Sequence, residues 1–147
     1  MKDFAASIVI RAPVERIWSL LTEAERYPTW NSTVERISGR IAPGQRIAVY
    51  ARMTPGRAFP VTVTEFAAHQ MMVWSGGLPL GLFTGRRTFT LRQATDGCVA
   101  FAMREEFRGP LAWLIARSIP DLQPAFDAFA ADLKRQAEAP GQSERRS

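Results

Sequence analysis

The first thirty residues change from a two-residue to a helical hydrophobic period. Across residues 3–11 every second position is apolar, which is the period of a strand with one buried face. Across residues 14–21 the apolar positions fall at i, i+3, i+4 and i+7, which predicts a short amphipathic helix. A further helical turn or two is expected over residues 23–27, ended by Pro28, because proline has no N–H to donate.

Six further strand patterns follow, separated by short turn sequences. They cover residues 33–41, 45–53, 60–68, 71–76, 83–94 and 98–108. The breaks between them are Pro43-Gly44, Pro55-Gly56, residues 68–70, residues 76–81 and Asp96-Gly97. Because a tight turn can join each strand to the next, the pattern predicts an antiparallel meander; parallel strands would need long crossover connections.

The last part of the chain returns to a helical period from residue 110 to about residue 137. Pro120 and Pro124 interrupt this stretch, so a kink is expected near residues 119–121, dividing a shorter first piece from a longer second one. Residues 140–147 are polar, charged and small, which is typical of a disordered tail. We therefore expect a single α+β domain over residues 1–139.

Several local motifs carry a resemblance to a known family. They are the strand-to-helix transition at residues 8–18 (IVIRAPVERIW), residues 27–31 (YPTWN), the Asp96-Gly97 turn, residues 105–111 (EEFRGPL) and the late helix with Phe126, Phe129, Leu133 and Lys134. With the order of elements, they resemble the START-like (SRPBCC, helix-grip) superfamily, in its polyketide cyclase/dehydrase and lipid-transport branch.

The resemblance covers residues 3–137 and implies a definite architecture. In it, a curved antiparallel sheet of about six or seven strands wraps around a long C-terminal helix, and two short helices follow the first strand. The resemblance is specific for fold and weak for function, because this family includes binders, transporters, cyclases and chaperone-like modules. Residues 75–85, rich in glycine and proline, depart from the family pattern.

Composition and charge argue against several kinds of site. With one cysteine, Cys98, and one histidine, the chain cannot form an intramolecular disulfide or a usual zinc site, and we expect no metal and no cofactor. No run approaches the roughly 18 apolar residues of a membrane span, and a cytoplasmic protein is predicted. The net charge of +5 is scattered along the chain, so a nucleic-acid partner is not expected. The oligomeric state is left open.

Two charged residues interrupt the apolar face of the last two predicted strands. There the large apolar residues stand at odd-numbered positions, and the two charged exceptions at odd positions are Arg87 and Glu105. If residues 95–97 form a three-residue hairpin loop with Gly97 in the left-handed region, Arg87 lies directly opposite Glu105. Two interpretations stay open: the pair closes one end of the sheet, half solvated, or it orients the polar head of a ligand or polarises a carbonyl. These two residues are the only catalytic candidates.

The same alternation, applied to the other strands and to the helix, gives the remaining candidate ligand-binding residues. They are Val49, Met53, Val63, Trp74, Phe83, Phe89, Phe101, Met103, Phe107, Trp113, Leu122, Phe126 and Phe129. Each of them also fits a plain core role, because the sequence does not set how much of the interior is empty. A bent sheet around one helix favours a concave apolar site.

Three functions are compatible with these features. The first is binding or transport of a hydrophobic small molecule, such as a lipid, polyketide or isoprenoid-like compound, between the sheet and the C-terminal helix. The second is a cyclase, dehydrase or aromatase-like enzyme in which Arg87, Glu105 or an ordered water moves protons. The third is a co-chaperone-like module that binds protein through residues 76–85 or through the exposed strand faces that carry arginines. The scarcity of catalytic candidates favours the first, non-catalytic function.

Overall fold

A computed structural model describes residues 3–139 of the chain, and the predicted tail lies outside the described residues. The strands are β1 (Asp3–Ile10), β2 (Val34–Ser38), β3 (Arg46–Ala51), β4 (Ala58–Ala67), β5 (Met71–Leu78), β6 (Phe83–Gln93) and β7 (Val99–Arg108). The helices are α1 (Val14–Thr22), α2 (Tyr27–Trp30), α3 (Ala112–Ala116) and α4 (Gln123–Glu138).

The seven strands form one antiparallel sheet in the order β1-β7-β6-β5-β4-β3-β2. Strands β2 to β7 are a meander in which each strand pairs with its neighbour in sequence, and β1 pairs with β7. The sheet curves around α4, so the predicted α+β helix-grip architecture is confirmed. The alternation of apolar positions predicted this architecture, because only one face of each strand is buried against the helix.

Side chains of α4 bind the backbone of the edge strand β1. Gln123 donates from its side-chain amide to the carbonyl oxygen of Ala5 at 2.7 Å. Lys134 donates to the carbonyl oxygen of Val9 at 2.8 Å, and Glu138 accepts from the N–H of Arg11 at 2.8 Å, just past the strand. An open sheet edge otherwise presents unpaired backbone groups to other chains, so these bonds cover part of the edge.

The second short helix differs from its prediction. Residues 24–26 form one 3-10 turn, and α2 then runs over Tyr27–Trp30 with Pro28 in its first turn. Pro28 therefore begins a helix and does not end one, which corrects the expectation over residues 23–27. The physical reason is that the first N–H groups of a helix need no intrahelical acceptor, so proline is favoured there.

The C-terminal helical stretch is broken and not merely kinked. Six residues separate α3 from α4, and Pro124 occupies the first turn of α4. The side chain of Asp121 accepts from the N–H of Gln123 at 3.0 Å, which satisfies one of the free donors at the start of α4. The division into a shorter and a longer piece is as predicted, but the first piece is only five residues long.

The boundaries of the strands differ from prediction mainly at one hairpin. Strand β5 continues through the glycines to Leu78, so the predicted break at residues 76–81 shrinks to residues 79–82. The hairpin between β6 and β7 has the predicted geometry: the N–H of Ala94 donates to the carbonyl oxygen of Cys98 at 2.8 Å, and Gly97 has φ of +72°.

A buried carboxylate fastens α4 to the start of β2. Asp132 accepts hydrogen bonds from the N–H of Ser32 at 2.8 Å and from its hydroxyl at 2.7 Å, and it also pairs with Arg135. Burial alone would raise the pKa of Asp132, but these hydrogen bonds outweigh it and hold the pKa below its ordinary value. The sequence analysis did not identify this contact.

Candidate functional site

One row of side chains crosses the inner face of the sheet and contains its only inward charges among the described residues. Pairing across neighbouring strands aligns them as Val63 on β4, Trp74 on β5, Arg87 on β6, Glu105 on β7 and Phe4 on β1. We call this set the Arg87 row. The predicted register, with Arg87 opposite Glu105, is confirmed.

Within this row, Arg87 and Glu105 form an ion pair. Arg87 donates from Nε to Oε1 of Glu105 at 2.7 Å. Their side chains are 24% and 12% exposed, and the Arg87 guanidinium lies 4.8 Å from the centroid of the Phe126 ring. The pair is therefore mostly buried against apolar groups, a position that is costly for either charge alone. Its geometry leaves the terminal nitrogens of Arg87 without a hydrogen-bond partner among the described residues.

A second donor in the row also lacks a partner. The indole Nε1 of Trp74 is buried and has no hydrogen-bond acceptor within the described part of the chain. The indole nitrogen of Trp30 and the amide nitrogen of Asn31, near the end of α2, are in the same condition. A buried donor without an acceptor costs free energy, so such groups commonly bind water or a ligand oxygen.

Tyr27 lies close to the row but already has its partner. Its hydroxyl donates to the carbonyl oxygen of Leu21 at 2.7 Å. Burial raises the pKa of Tyr27 well above its usual range, and the nearby positive charge of Arg87 opposes this only in part. Tyr27 is therefore a neutral structural group and not an acid or base for chemistry at this site.

Next to the row, aromatic rings, including that of Trp74 from the row itself, fill the space between the sheet and α4. The Phe129 ring lies 5.9 Å from that of Phe89 and 6.3 Å from that of Phe101, and Trp74 lies 4.7 Å from Phe89. All four side chains are buried. Rings at these separations are in packing contact, so this part of the interior is core. The ion pair of Arg87 and Glu105 lies beyond these rings, nearer the end of the sheet at which β6 begins.

A sequence model of the family described as polyketide cyclase/dehydrase and lipid transport matches residues 1–138. The chain belongs to this family. The START-like resemblance carried by the local motifs is thereby confirmed. The family and the fold support a role in binding a hydrophobic ligand. No curated protein sequence matches the chain.

Solved structures share the fold at low sequence identity. A hypothetical protein from Helicobacter pylori is 13% identical, with 93% of this chain and 88% of that chain covered and a TM-score of 0.76. A START superfamily protein from Mycobacterium smegmatis is 14% identical, with 95% and 99% covered and a TM-score of 0.66. Truncated norcoclaurine synthase from Thalictrum flavum is 13% identical, with 94% of each chain covered and a TM-score of 0.68. These likenesses concern the fold alone.

The predicted ligand-binding residues divide into three groups by burial. The buried residues are Val49, Val63, Trp74, Phe89, Phe101, Met103, Phe107, Phe126 and Phe129. Phe83, Arg87, Glu105 and Leu122 are half-buried, which places the accessible part of the predicted site around the Arg87 row. Met53 and Trp113 are exposed. Strand β3 ends at Ala51, so the alternation that pointed Met53 inward does not reach it, and that placement is wrong.

A glycine beside the ion pair allows Glu105 and Phe107 to pack closely against the backbone of β6 on the inner face. A methyl group at Gly85 would lie 3.2 Å from Oε2 of Glu105 and 3.4 Å from the ring of Phe107. Any larger side chain there would press on both. The absence of a side chain at Gly85 thus leaves room for Oε2 of Glu105 and the ring of Phe107 beside the backbone of β6, a requirement that the apolar pattern of the strand does not reveal.

A shallow surface pocket of about 510 Å³ lies at the end of the sheet that carries the β6–β7 loop, away from the Arg87 row. It is lined by Arg11, Ala12, Pro13, Val14, Glu15, Gln93, Asp96 and Gly97. None of these is a predicted site residue. Within residues 3–139, no group of three or more histidine, cysteine, aspartate or glutamate side chains could hold a metal ion. No helix in the same range is long and apolar enough to cross a membrane.

Proposed function

We propose that this protein binds or transports a hydrophobic small molecule, such as a lipid, polyketide or isoprenoid-like compound, between the sheet and α4. The observation that carries the proposal is the Arg87 row. A half-buried ion pair lies beside an unpaired indole N–H, on an otherwise apolar face. Polar groups placed among apolar ones at a concave surface are the usual means by which such sites orient a ligand.

The charges of the row favour a neutral polar group on the ligand. Glu105 already neutralises Arg87, so a ligand carboxylate would meet one positive and one negative charge at once. The terminal nitrogens of Arg87 and the indole of Trp74 are donors, and both lack acceptors among the described residues. A carbonyl or hydroxyl oxygen satisfies these donors at a smaller desolvation cost than a second carboxylate.

The apolar part of the ligand lies above the row, because the space below is filled by rings. Phe83 stacks on Phe107 at 5.7 Å between centroids, and Leu122 lies half-buried at the start of α4. Gly85 contributes no side chain between these residues and Glu105. The ligand therefore extends from the Arg87 row towards the end of the sheet that carries the β3–β4 and β5–β6 loops.

The test begins with native mass spectrometry of the purified chain, followed by solvent extraction and identification of any released molecule. Thermal stabilisation is then measured with oleic acid, farnesol and the aromatic polyketide emodin. The Arg87→Met variant is expected to lose at least tenfold in affinity, since about 1.5 kcal/mol or more is lost with one hydrogen bond to a charged group. Arg86→Met, which breaks the outward ion pair with Glu65, is the matched control and retains binding. No bound molecule and no stabilisation by any probe would contradict the proposal.

The second candidate is a cyclase or dehydrase-like enzyme that uses the same site. Oε1 of Glu105 accepts from Arg87, whereas Oε2 lies next to Gly85, where a substrate proton could reach it. Glu105→Gln preserves the shape of the side chain and removes the basic oxygen. Loss of turnover with retained binding in this variant would favour the enzyme, and equal binding with no turnover in either protein would favour the carrier.

A further inference from the structure

Large apolar side chains are exposed at one end of the molecule. Within the described residues, this end carries Met53, Phe59, Leu78, Leu80, Leu82, Trp113 and Leu114, which we call the apolar rim. Leu80 is 95% exposed and Trp113 is 61% exposed. The exposed Val9, by contrast, lies on β1. Concentrated exposure of this kind indicates a surface that meets an apolar environment.

The segments that carry the rim adjoin one another. The N–H of Leu111 donates to the carbonyl oxygen of Leu82 at 3.0 Å, which joins the start of α3 to the hairpin between β5 and β6. Thr62 lies opposite Ser75, and continuing this register brings Phe59 level with Leu78. The loops after β3, β5 and β7 all lie at the same end of the antiparallel sheet. The rim therefore lies at one end of the sheet, the end at which β6 begins.

The charges next to the rim are mostly positive. Arg52, Arg57 and Arg117 are exposed in the loops that carry the rim, and Asp121 is the acidic residue within these loops. Arg108, at the end of β7, is already paired with Glu106 at 2.8 Å. The Arg57 guanidinium lies 5.4 Å from the ring of Phe59, so apolar and cationic groups are interleaved. Asp121 is already engaged by the N–H of Gln123. The rim and its arginines are therefore complementary to a partner that has an apolar interior and an anionic surface.

We propose that the apolar rim docks this protein onto an anionic lipid bilayer. Leucine side chains at hairpin tips can enter the acyl region, tryptophan favours the headgroup level, and arginines pair with lipid phosphates. Loop tips that project singly, as Leu80 does, suit a deformable bilayer better than a rigid protein surface. Docking in this orientation turns the end of the sheet at which β6 begins towards the membrane, and it does not depend on a bound ligand.

Flotation of the full chain with lipid vesicles tests the proposal. The chain is mixed with phosphatidylcholine vesicles that either contain or lack phosphatidylglycerol. Trp18, Trp30 and Trp74 are buried and Trp113 is exposed, so a blue shift of the tryptophan emission on binding reports Trp113 entering the bilayer. Binding to the phosphatidylglycerol vesicles with this blue shift is the expected result, and it should be absent in Trp113→Phe.

A matched pair of substitutions locates the contact. Leu80 has φ of +62°, a conformation that asparagine tolerates well, so Leu80→Asn should fold normally. It is expected to weaken vesicle binding about tenfold or more, since burial of one leucine side chain is lost. Val9→Thr removes an exposed apolar side chain outside the rim and should leave vesicle binding unchanged.

The electrostatic part is tested with Arg57→Gln and Arg117→Gln. Each should lower affinity for the phosphatidylglycerol vesicles about fivefold and leave the weak binding to neutral vesicles unchanged. Binding of neither vesicle type, or equal binding by Leu80→Asn and the unmodified chain, would overturn the proposal. So would self-association of the purified chain in sedimentation velocity that Leu80→Asn abolishes, because the rim would then be an interface between copies of this chain.

Discussion

Replacing both members of the Arg87–Glu105 pair with apolar residues separates a structural role from a recognition role. Arg87 donates to Glu105 at 2.7 Å, and both side chains are mostly buried. Arg87→Met alone leaves the carboxylate without its partner, and Glu105→Leu alone leaves the guanidinium without its partner. The double variant places two apolar side chains against the ring of Phe126 on α4.

The expected stabilities follow from the burial of the pair. Breaking a fully buried pair by removing one partner costs about 3–5 kcal/mol, and partial exposure lowers this to roughly 2 kcal/mol for each single variant. The free energy of unfolding of the double variant should lie within about 1 kcal/mol of that of the unmodified chain, because no isolated charge is left. The outward pair of Arg86 and Glu65 is about half exposed on both sides, so Arg86→Met should cost less than about 0.5 kcal/mol.

Urea unfolding, followed by tryptophan fluorescence, gives the free energy of unfolding for these four variants. The account predicts a strongly non-additive cycle, in which the double variant is nearly as stable as the unmodified chain but no longer binds an apolar ligand. If the double variant instead loses as much as the two single variants together, the pair is a structural closure of the sheet. The reasoning that it is kept for ligand recognition would then be refuted.

Two further substitutions test the packing around the site. Asp132→Ala should lower the free energy of unfolding by about 3 kcal/mol in urea denaturation, because both donors of Ser32 lose a charged acceptor. Gly109→Ala should cost more than about 2 kcal/mol, since its methyl would lie 2.6 Å from the carbonyl oxygen of Leu82. Gly44→Ala, also at positive φ but with nothing within 4 Å, should cost about 1 kcal/mol.

These two predictions have distinct contradicting results. The pKa of Asp132 is lowered in the folded chain, so its contribution is present above the unfolded-state value of about 4 and is lost as the pH falls through the folded value. In Asp132→Asn, the free energy of unfolding should therefore fall less steeply with falling pH than in the unmodified chain. An unchanged pH dependence would contradict this. Equal costs for the alanine variants of Gly109 and Gly44 would show that the close approach to Leu82 contributes nothing.

The register at the ion pair could be predicted because two local rules suffice for it. Side chains alternate along a strand, and a three-residue loop at residues 95–97 fixes which residues face each other. Pro28 was assigned wrongly because proline both ends helices and begins them, and the local sequence does not decide between these roles. Local rules thus set the pairing but not every helix boundary.

Features of the site that depend on distant contacts could not be predicted. Ser32 and Asp132 are a hundred positions apart, and no periodicity links them. How much of the interior Phe89 and Phe129 fill depends on how the side chains pack in three dimensions, and the hydrophobic pattern of the sequence does not give this. The missing acceptor of Trp74 likewise becomes visible only when all neighbouring groups are placed.

The most direct test of the central claim is an NMR titration that observes the indole N–H groups and the arginine Nε–H groups of the full chain. Oleic acid, farnesol and emodin serve as ligands, and substitution of each tryptophan by phenylalanine assigns its indole signal. The account predicts that a binding ligand shifts the signals of Trp74 and Arg87 saturably, while that of Trp18, which packs against Phe66, stays in place. Saturable binding that leaves Trp74 and Arg87 unshifted would contradict the account.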